Sequence, residues 1–263
     1  MAITLKVVCD DSGLSRGVDS AILQLYTQGI ASAASIMPNM PQTETSFSRF
    51  AAHSNLELGA HLTLTQGKPL TSAITQTGLV AADGNFSGRM AILGSGLWVS
   101  AKDKAAIYTE LDAQMAQFSQ AGIDVAHITT HHHFHALPVY QKMVLSLAKS
   151  YAVEWVRNPD LRRAIVPQNF LLDRCQQKPN LVPMPDYLIL IQAWVGRSPR
   201  ELMTELTRLE GMIEVVVHPA LLVDHTFPSD VAYTPAGRVK EVYFIEKFFA
   251  MLEPFIGDFI HIV

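Results

Sequence analysis

The chain has 263 residues, a hydrophobic share of 49%, a charged share of 17% and a formal net charge of -4. That composition describes a globular protein with a sizeable core and excludes a disordered or fibrous one. The weak negative charge, with no basic run, gives no footprint for nucleic acid or an anionic membrane, and no apolar stretch reaches the roughly 20 residues that span a bilayer.

Taken in order, short apolar runs alternate with helical patterns. Residues 3–9 read as a strand that ends in Asp10-Asp11. A helix over 18–28 stops at Gly29, a strand covers 31–37, a helix 43–53, and a strand 56–62 carries His61 near its end. From 66 to 100 the pattern breaks down, and Ala82-Asp83-Gly84 reads as a hairpin turn. A strong helix over 102–122 follows, with Ile107, Leu111, Met115 and Phe118 on one face. Next come a strand over 126–130, a helix over 139–149, and a strand over 154–157 that ends in Arg157. Residues 159–197 read as a second irregular insertion. Ser198-Pro199-Arg200-Glu201 is a helix start with a capping box. The strand 212–217 ends in His218, a helix covers 238–252, and 258–263 closes the pattern.

This alternation implies a parallel sheet with crossover helices. About seven such units favour a single α/β domain over 1–263, an irregular TIM-like barrel of about seven parallel strands. Two cysteines, Cys9 and Cys175, are too few for a disulfide framework. Cys9 sits in an apolar strand and reads as a buried thiol. The N-terminal residues lack the apolar core and cleavage site of a signal peptide, so a reducing cytoplasm is the expectation.

Five of the ten histidines crowd into one internal run, His127, His131, His132, His133 and His135. Imidazole is the commonest metal ligand and the side chain most easily tuned for proton transfer near neutral pH. If the strand continues through the run, His131, His133 and His135 share one side and His132 takes the other, so at most two or three reach one ion. Asp10-Asp11, His61, the histidine run and His218 all fall at ends of expected strands. In a parallel barrel those ends open on one face, where sites are built. Each feature also has a structural reading: Asp10-Asp11 as helix caps, His61 as a core histidine, His218 bonded to backbone. Arg157 binds a substrate oxygen, orients a carboxylate, or forms a surface ion pair. Thr65, beyond His61, points to an open cleft. One Asp with two His makes an open metal site that can activate water, and a spare carboxylate and a separate His can move protons. Such parts suit hydrolysis of an amide or ester.

Four motifs carry a resemblance: CDDSGLS at 9–15, GAHLTLTQGKP at 59–69, HITTHHHFH at 127–135 and VVVHPA at 215–220. Together they resemble the YdjC-like carbohydrate deacetylases, a family that includes chitooligosaccharide deacetylases and a hopanoid-biosynthesis branch. The resemblance implies an irregular (β/α) barrel related to that of polysaccharide deacetylases. It implies a divalent metal on Asp11, His61 and His131, with Asp10 as general base and His218 as general acid. The implied reaction removes an N-acetyl group from an amino sugar, in a protein that is often a homodimer. Arg157, Thr65, His133 and His135 are then expected around the substrate. His-rich ligation suits Zn²⁺, whereas the resemblance points to Mg²⁺. Two positions depart from the family pattern. Thr129 stands where the family has an Asp before the triple His, so that any orienting of a ligand His must come from elsewhere. Ser12 replaces an aromatic, which widens or rewets the pocket. Two other readings stay open: another barrel metallohydrolase (a phosphoesterase or amidohydrolase), and a non-catalytic metal- or sugar-binding protein.

Overall fold

The computed structural model describes residues 3–95, 99–161, 164–165, 182–221, 234–257 and 259–263. Ten residues of β1 (Ile3–Ser12) form the centre of one parallel sheet. Leu5, Val7, Val8 and Cys9 on β1 are fully buried, as expected of a strand covered on both faces. Cys9 is a buried thiol whose pKa is pushed up by burial and then by Asp10 and Glu241, so it stays protonated.

The remaining elements follow in chain order. They are α1 (Arg16–Thr27), β2 (Ala33–Ile36), α2 (Thr43–Phe50), β3 (Glu57–Leu62), α3 (Arg89–Ser95), α4 (Ala101–Gln120), β4 (His127–Thr130), α5 (Pro138–Ser150), β5 (Trp155–Val156), β6 (Ala164–Ile165), β7 (Tyr187–Leu190), α6 (Pro199–Leu206), β8 (Gly211–Val217), α7 (Pro235–Leu252) and β9 (Ile260–Ile262). Local chemistry sets several boundaries. Ser15 caps α1 by accepting from Val18 N at 3.3 Å. Gly29, at φ 71°, follows the end of that helix in a conformation glycine adopts freely. The capping box at Ser198 and Glu201 forms as the residues predict. On α4, Ile107, Leu111, Met115 and Phe118 are all buried.

Among the described residues the sheet has nine strands, in the order β5-β4-β3-β2-β1-β8-β7-β6, with β9 pairing β1. This bears out the expected α/β fold of parallel strands in an irregular, curled barrel, with nine strands where about seven were expected. The two additional strands, β6 and β7, lie in the segment expected to be irregular. β6 has only two residues, too few for any periodicity to register. The sheet curls without a strand pairing that closes it among the described residues. Irregular contacts bring the β5 edge to the approach of β7: Val156 N donates to the Pro183 carbonyl at 3.0 Å, and Asn158 Nδ2 to the Pro185 carbonyl at 3.0 Å.

Within 66–100 the hairpin forms as expected. Val80 and Phe86 make an antiparallel bridge around Gly84, which lies at φ 82°. The short helix α3 was not anticipated there. Residues 166–181, with Cys175, lie outside the described residues, as does Asp258 at the expected start of the last strand. Among the described residues no helix is long and apolar enough to cross a membrane.

Candidate active site

The C-terminal ends of β1, β3, β4 and β8 meet at one small pocket, lined by Asp10, His61, Thr130, His131, His132, His133 and His218. The pairing of β1 with β2 shifts register between Cys9 and Ser12, and Asp11 adopts φ 67°. A left-handed conformation is uncommon for a residue other than glycine and is held only where its surroundings demand it. Here it turns the two neighbouring carboxylates to different partners.

Asp11 faces the histidines. Its Oδ1 lies 2.9 Å from His131 Nδ1 and 3.1 Å from His61 Nε2. Its Oδ2 accepts from the Arg238 guanidinium at 2.7 Å. One ligand atom from each of Asp11, His61 and His131 falls within 4.8 Å of the others, and all three residues are buried. Burial alone would raise the Asp11 pKa, but Arg238 and His131 hold it well below the usual carboxylate range. The His131 pKa is lowered, chiefly by burial, so its ring is neutral and able to bind a metal.

The residues present fit a metal ion. Among the described residues, His131 Nε2 is buried with no hydrogen-bond partner, and His61 Nε2 has only its 3.1 Å contact with Asp11 Oδ1. A buried polar atom without a partner is costly unless something absent from the protein chain meets it. A carboxylate with two imidazoles is a donor set that suits a divalent ion.

Asp10 turns the other way. Arg157 donates to it through two guanidinium nitrogens, at 2.6 and 3.0 Å, and through Nε to Glu214 at 2.7 Å. Burial would raise the Asp10 pKa, but Arg157 and then His61 bring it far down, so the group stays ionised. Burial keeps the Glu214 pKa raised against the pull of Arg157. Arg157 is fully buried behind Asp10. Of the roles its position offered, the geometry fits orienting a carboxylate.

His218 lies across the pocket, with Nε2 3.9 Å from Asp10 Oδ2. Glu241 on α7 accepts from the His218 backbone N at 2.8 Å and sits 3.5 Å from its Nδ1. Burial would lower the His218 pKa, but Glu241, then Asp11 and Asp10, raise it above its usual value.

The histidine run does not continue as a strand. β4 ends at Thr130, residues His131–Ala136 form a 3₁₀ turn, and His132 and His133 adopt φ of 56° and 52°. Two successive left-handed residues abolish the expected alternation of sides. The His131 and His132 rings lie 4.0 Å apart instead of on opposite faces. His132 Nδ1 bonds the Thr65 hydroxyl at 2.9 Å, which places Thr65 behind that ring. His135 is buried against the Thr130 hydroxyl, and burial followed by Arg157 brings its pKa down to about 3. His133 lines the pocket, and burial, then Arg157, hold it neutral.

Both departures from the motif pattern acquire a place. Thr129 Oγ1 bonds His61 Nδ1 at 2.7 Å, so the orienting contact expected to come from elsewhere comes from Thr129 itself. Ser12 donates to Asp19 Oδ1 at 3.0 Å, so its hydroxyl is committed to Asp19.

Three charged residues of this site were missed in the sequence: Glu214, Arg238 and Glu241, all buried. The available signal was an ionisable side chain inside an apolar run, IEVVV for Glu214 and the face of α7 for the other two.

A family model described as YdjC-like protein matches residues 4–247. A carbohydrate deacetylase of Brevibacillus brevis is 36% identical over 155 residues, and the match spans 59% of each chain. Another, from Halalkalibacterium halodurans, is 28% identical over 247 residues, covering 90% of this chain and 92% of its own. A solved protein of Enterococcus faecalis V583, named for cellobiose-phosphate cleavage, superposes with a TM-score of 0.78 at 22% identity, over 97% of this chain and 95% of its own. That last likeness concerns the fold alone.

Proposed function

The chain belongs to the YdjC-like protein family, and from that premise we propose that it is a metal-dependent carbohydrate deacetylase that hydrolyses the N-acetyl group of an amino sugar and releases acetate. The observation that carries this reading is the meeting of Asp11, His61 and His131 at one point, with Asp10 and His218 beside them. The names of the matching relatives support the substrate class.

Asp11, His61 and His131 would hold the ion, with Thr129 and Arg238 fixing two of those three side chains. Bound there, a divalent ion supplies Lewis acidity, which makes water a nucleophile near neutral pH and polarises a carbonyl. Asp10, kept ionised and aimed by Arg157, accepts the proton of the attacking water. His218, kept protonated by Glu241, gives its proton to the departing amine nitrogen. His133 stands at the pocket wall as a neutral hydrogen-bonding group for the substrate. Two imidazoles and one carboxylate favour Zn²⁺ or another transition ion over Mg²⁺. We place the enzyme in the cytoplasm as a homodimer, with the whole length acting as one catalytic unit.

The test is an acetate-release screen over N-acetylated sugars, run beside a phosphate-release screen over phosphoesters, with chelated enzyme and with metal restored. Metal-dependent acetate release supports the reading. Phosphate release without acetate release overturns it.

A further inference from the structure

Glu214 on β8 is a fully buried acid that neither holds the ion nor moves a proton in the proposed reaction. It lies in register with Lys6 of β1 on one side and Leu188 of β7 on the other. Lys6 does not neutralise it, because that ammonium bonds Glu57 instead.

The contact Glu214 does make is one-sided. Its Oε1 accepts from Arg157 Nε at 2.7 Å and lies 2.5 Å from a terminal nitrogen of the same guanidinium. Its Oε2 is buried with no hydrogen-bond partner among the described residues. Burial raises the Glu214 pKa against the pull of Arg157, so a negative charge is poorly supported there. A second buried carboxylate on one guanidinium costs stability, since one cation does not neutralise two anions. What Glu214 supplies is an acceptor at a fixed place.

That place matters for Asp10. A guanidinium is planar and carries five donors in a rigid fork. Arg157 turns its two terminal nitrogens to the two oxygens of Asp10, at 2.6 and 3.0 Å, and its Nε edge to Glu214. Arg157 follows β5 at one end of the strand order, whereas Asp10 lies on β1 and Glu214 on β8, four and five places along it. A side chain this long carries about 2 kcal/mol of rotamer entropy. With Asp10 as sole partner, the fork and the carboxylate would swing together. With Glu214 on the other edge, the guanidinium plane is fixed from both sides and Asp10 takes its orientation from it. The carboxylate so held has Oδ1 3.7 Å from His61 Nδ1 and Oδ2 3.9 Å from His218 Nε2, between a proposed metal ligand and the proposed proton donor. A misplacement of about 1 Å at such a group costs about 100-fold in rate.

Resting on the deacetylase reading, we propose that Glu214 is a positioning residue for the reaction, holding the Arg157 fork in the orientation that aims Asp10 at the attacking water. Two substitutions separate this from a role for charge. Glu214→Gln keeps the acceptor at Oε1, and its amide nitrogen replaces an oxygen that receives no hydrogen bond among the described residues. Glu214→Asp keeps the charge but withdraws the acceptor by about one C–C bond, ~1.5 Å, which takes the 2.7 Å bond past hydrogen-bond range.

The test combines Zn²⁺ titration of chelated protein, crystal structures of both variants, and kinetics on the N-acetylated sugar that performs best in the acetate-release screen. Glu214→Gln should keep kcat within about threefold of the wild type. Glu214→Asp should lower kcat by about 10- to 100-fold with KM and Zn²⁺ affinity unchanged, and its Asp10 carboxylate should be turned away from the wild-type orientation. In an Asp10→Asn background, Glu214→Asp should lower the residual rate no further, because its effect passes through Asp10. Should Glu214→Asp fail to fold, Arg157→Lys keeps the cation without the two-edged fork, and its kcat should fall by the same factor. An unchanged kcat in the folded Glu214→Asp protein, an equal loss in Glu214→Gln, or an Asp10 that stays in place in both variants overturns the proposal. Absence of acetate release from the wild type, with Asp10 displaced in Glu214→Asp alone, would retain the positioning role and reject the deacetylase reading.

Discussion

His127 and His131 bracket β4, and their rings have opposite fates. Both are buried and both touch a carboxylate. His127 bonds Ser35 through Nε2 at 2.8 Å and Glu57 through Nδ1 at 2.7 Å, and stacks on Trp155 at 4.6 Å. Gly59 makes room for it: a Cβ there would stand 2.2 Å from Nε2. Burial would raise the Glu57 pKa, but His127 and Lys6 bring it down to about 2, so the carboxylate remains charged and paired. His131 instead bonds only Asp11 and leaves Nε2 buried without a hydrogen-bond partner among the described residues. A satisfied buried histidine is a structural tie, whereas one with an unused nitrogen is poised for a ligand.

The largest expected effect breaks the comparison at that point. His131→Ala should abolish metal uptake and lower kcat/KM by about 1,000-fold or more, with the fold intact. His127→Ala should do the reverse, keeping metal binding while costing about 2–4 kcal/mol of stability through the lost ring and the polar groups left unpaired. Metal content and chemical denaturation of the two variants measure both halves.

Next comes His218→Ala. It should keep the metal and lower kcat by about 100- to 10,000-fold, as loss of a general acid does. Equal loss of metal and turnover would place His218 in the metal shell instead.

Thr129→Val removes the hydroxyl that holds His61 Nδ1. Metal affinity should fall by about 10- to 100-fold while stability barely changes. Titration of chelated protein with Zn²⁺ reads the difference.

The smallest effect is a shift in pH. A general acid must be protonated to act, and the His218 pKa is raised, so activity is lost as pH climbs through that raised value. Glu241→Gln removes the largest stabiliser of the charged ring, so the alkaline limb of the kcat profile should move to lower pH. An unmoved limb would separate Glu241 from the proton transfer.

Much of this geometry was legible in the residues. Asp10, Asp11, His61, His131 and His218 are chemically distinctive and follow apolar runs, so strand ends could be matched to polar groups. The side each histidine takes was not legible, because the alternation argument assumes extended backbone and His132 and His133 adopt positive φ. Glu214, Arg238 and Glu241 were hidden for another reason. A charged residue in a helix or strand reads as solvent-facing, and only the packed structure shows that Arg238 and Glu241 turn inward to Asp11 and His218. β6 is too short to carry a period, and the left-handed turn at Asp11 has no sequence signal of the kind glycine supplies.

The central claim is that the ion sits on Asp11, His61 and His131, not among the other histidines of the run. Anomalous diffraction from crystals soaked in Zn²⁺ tests it most directly. One strong peak within bonding distance of Asp11, His61 and His131 is the expected result. A peak held by His132, His133 and His135, with none at Asp11, would contradict it.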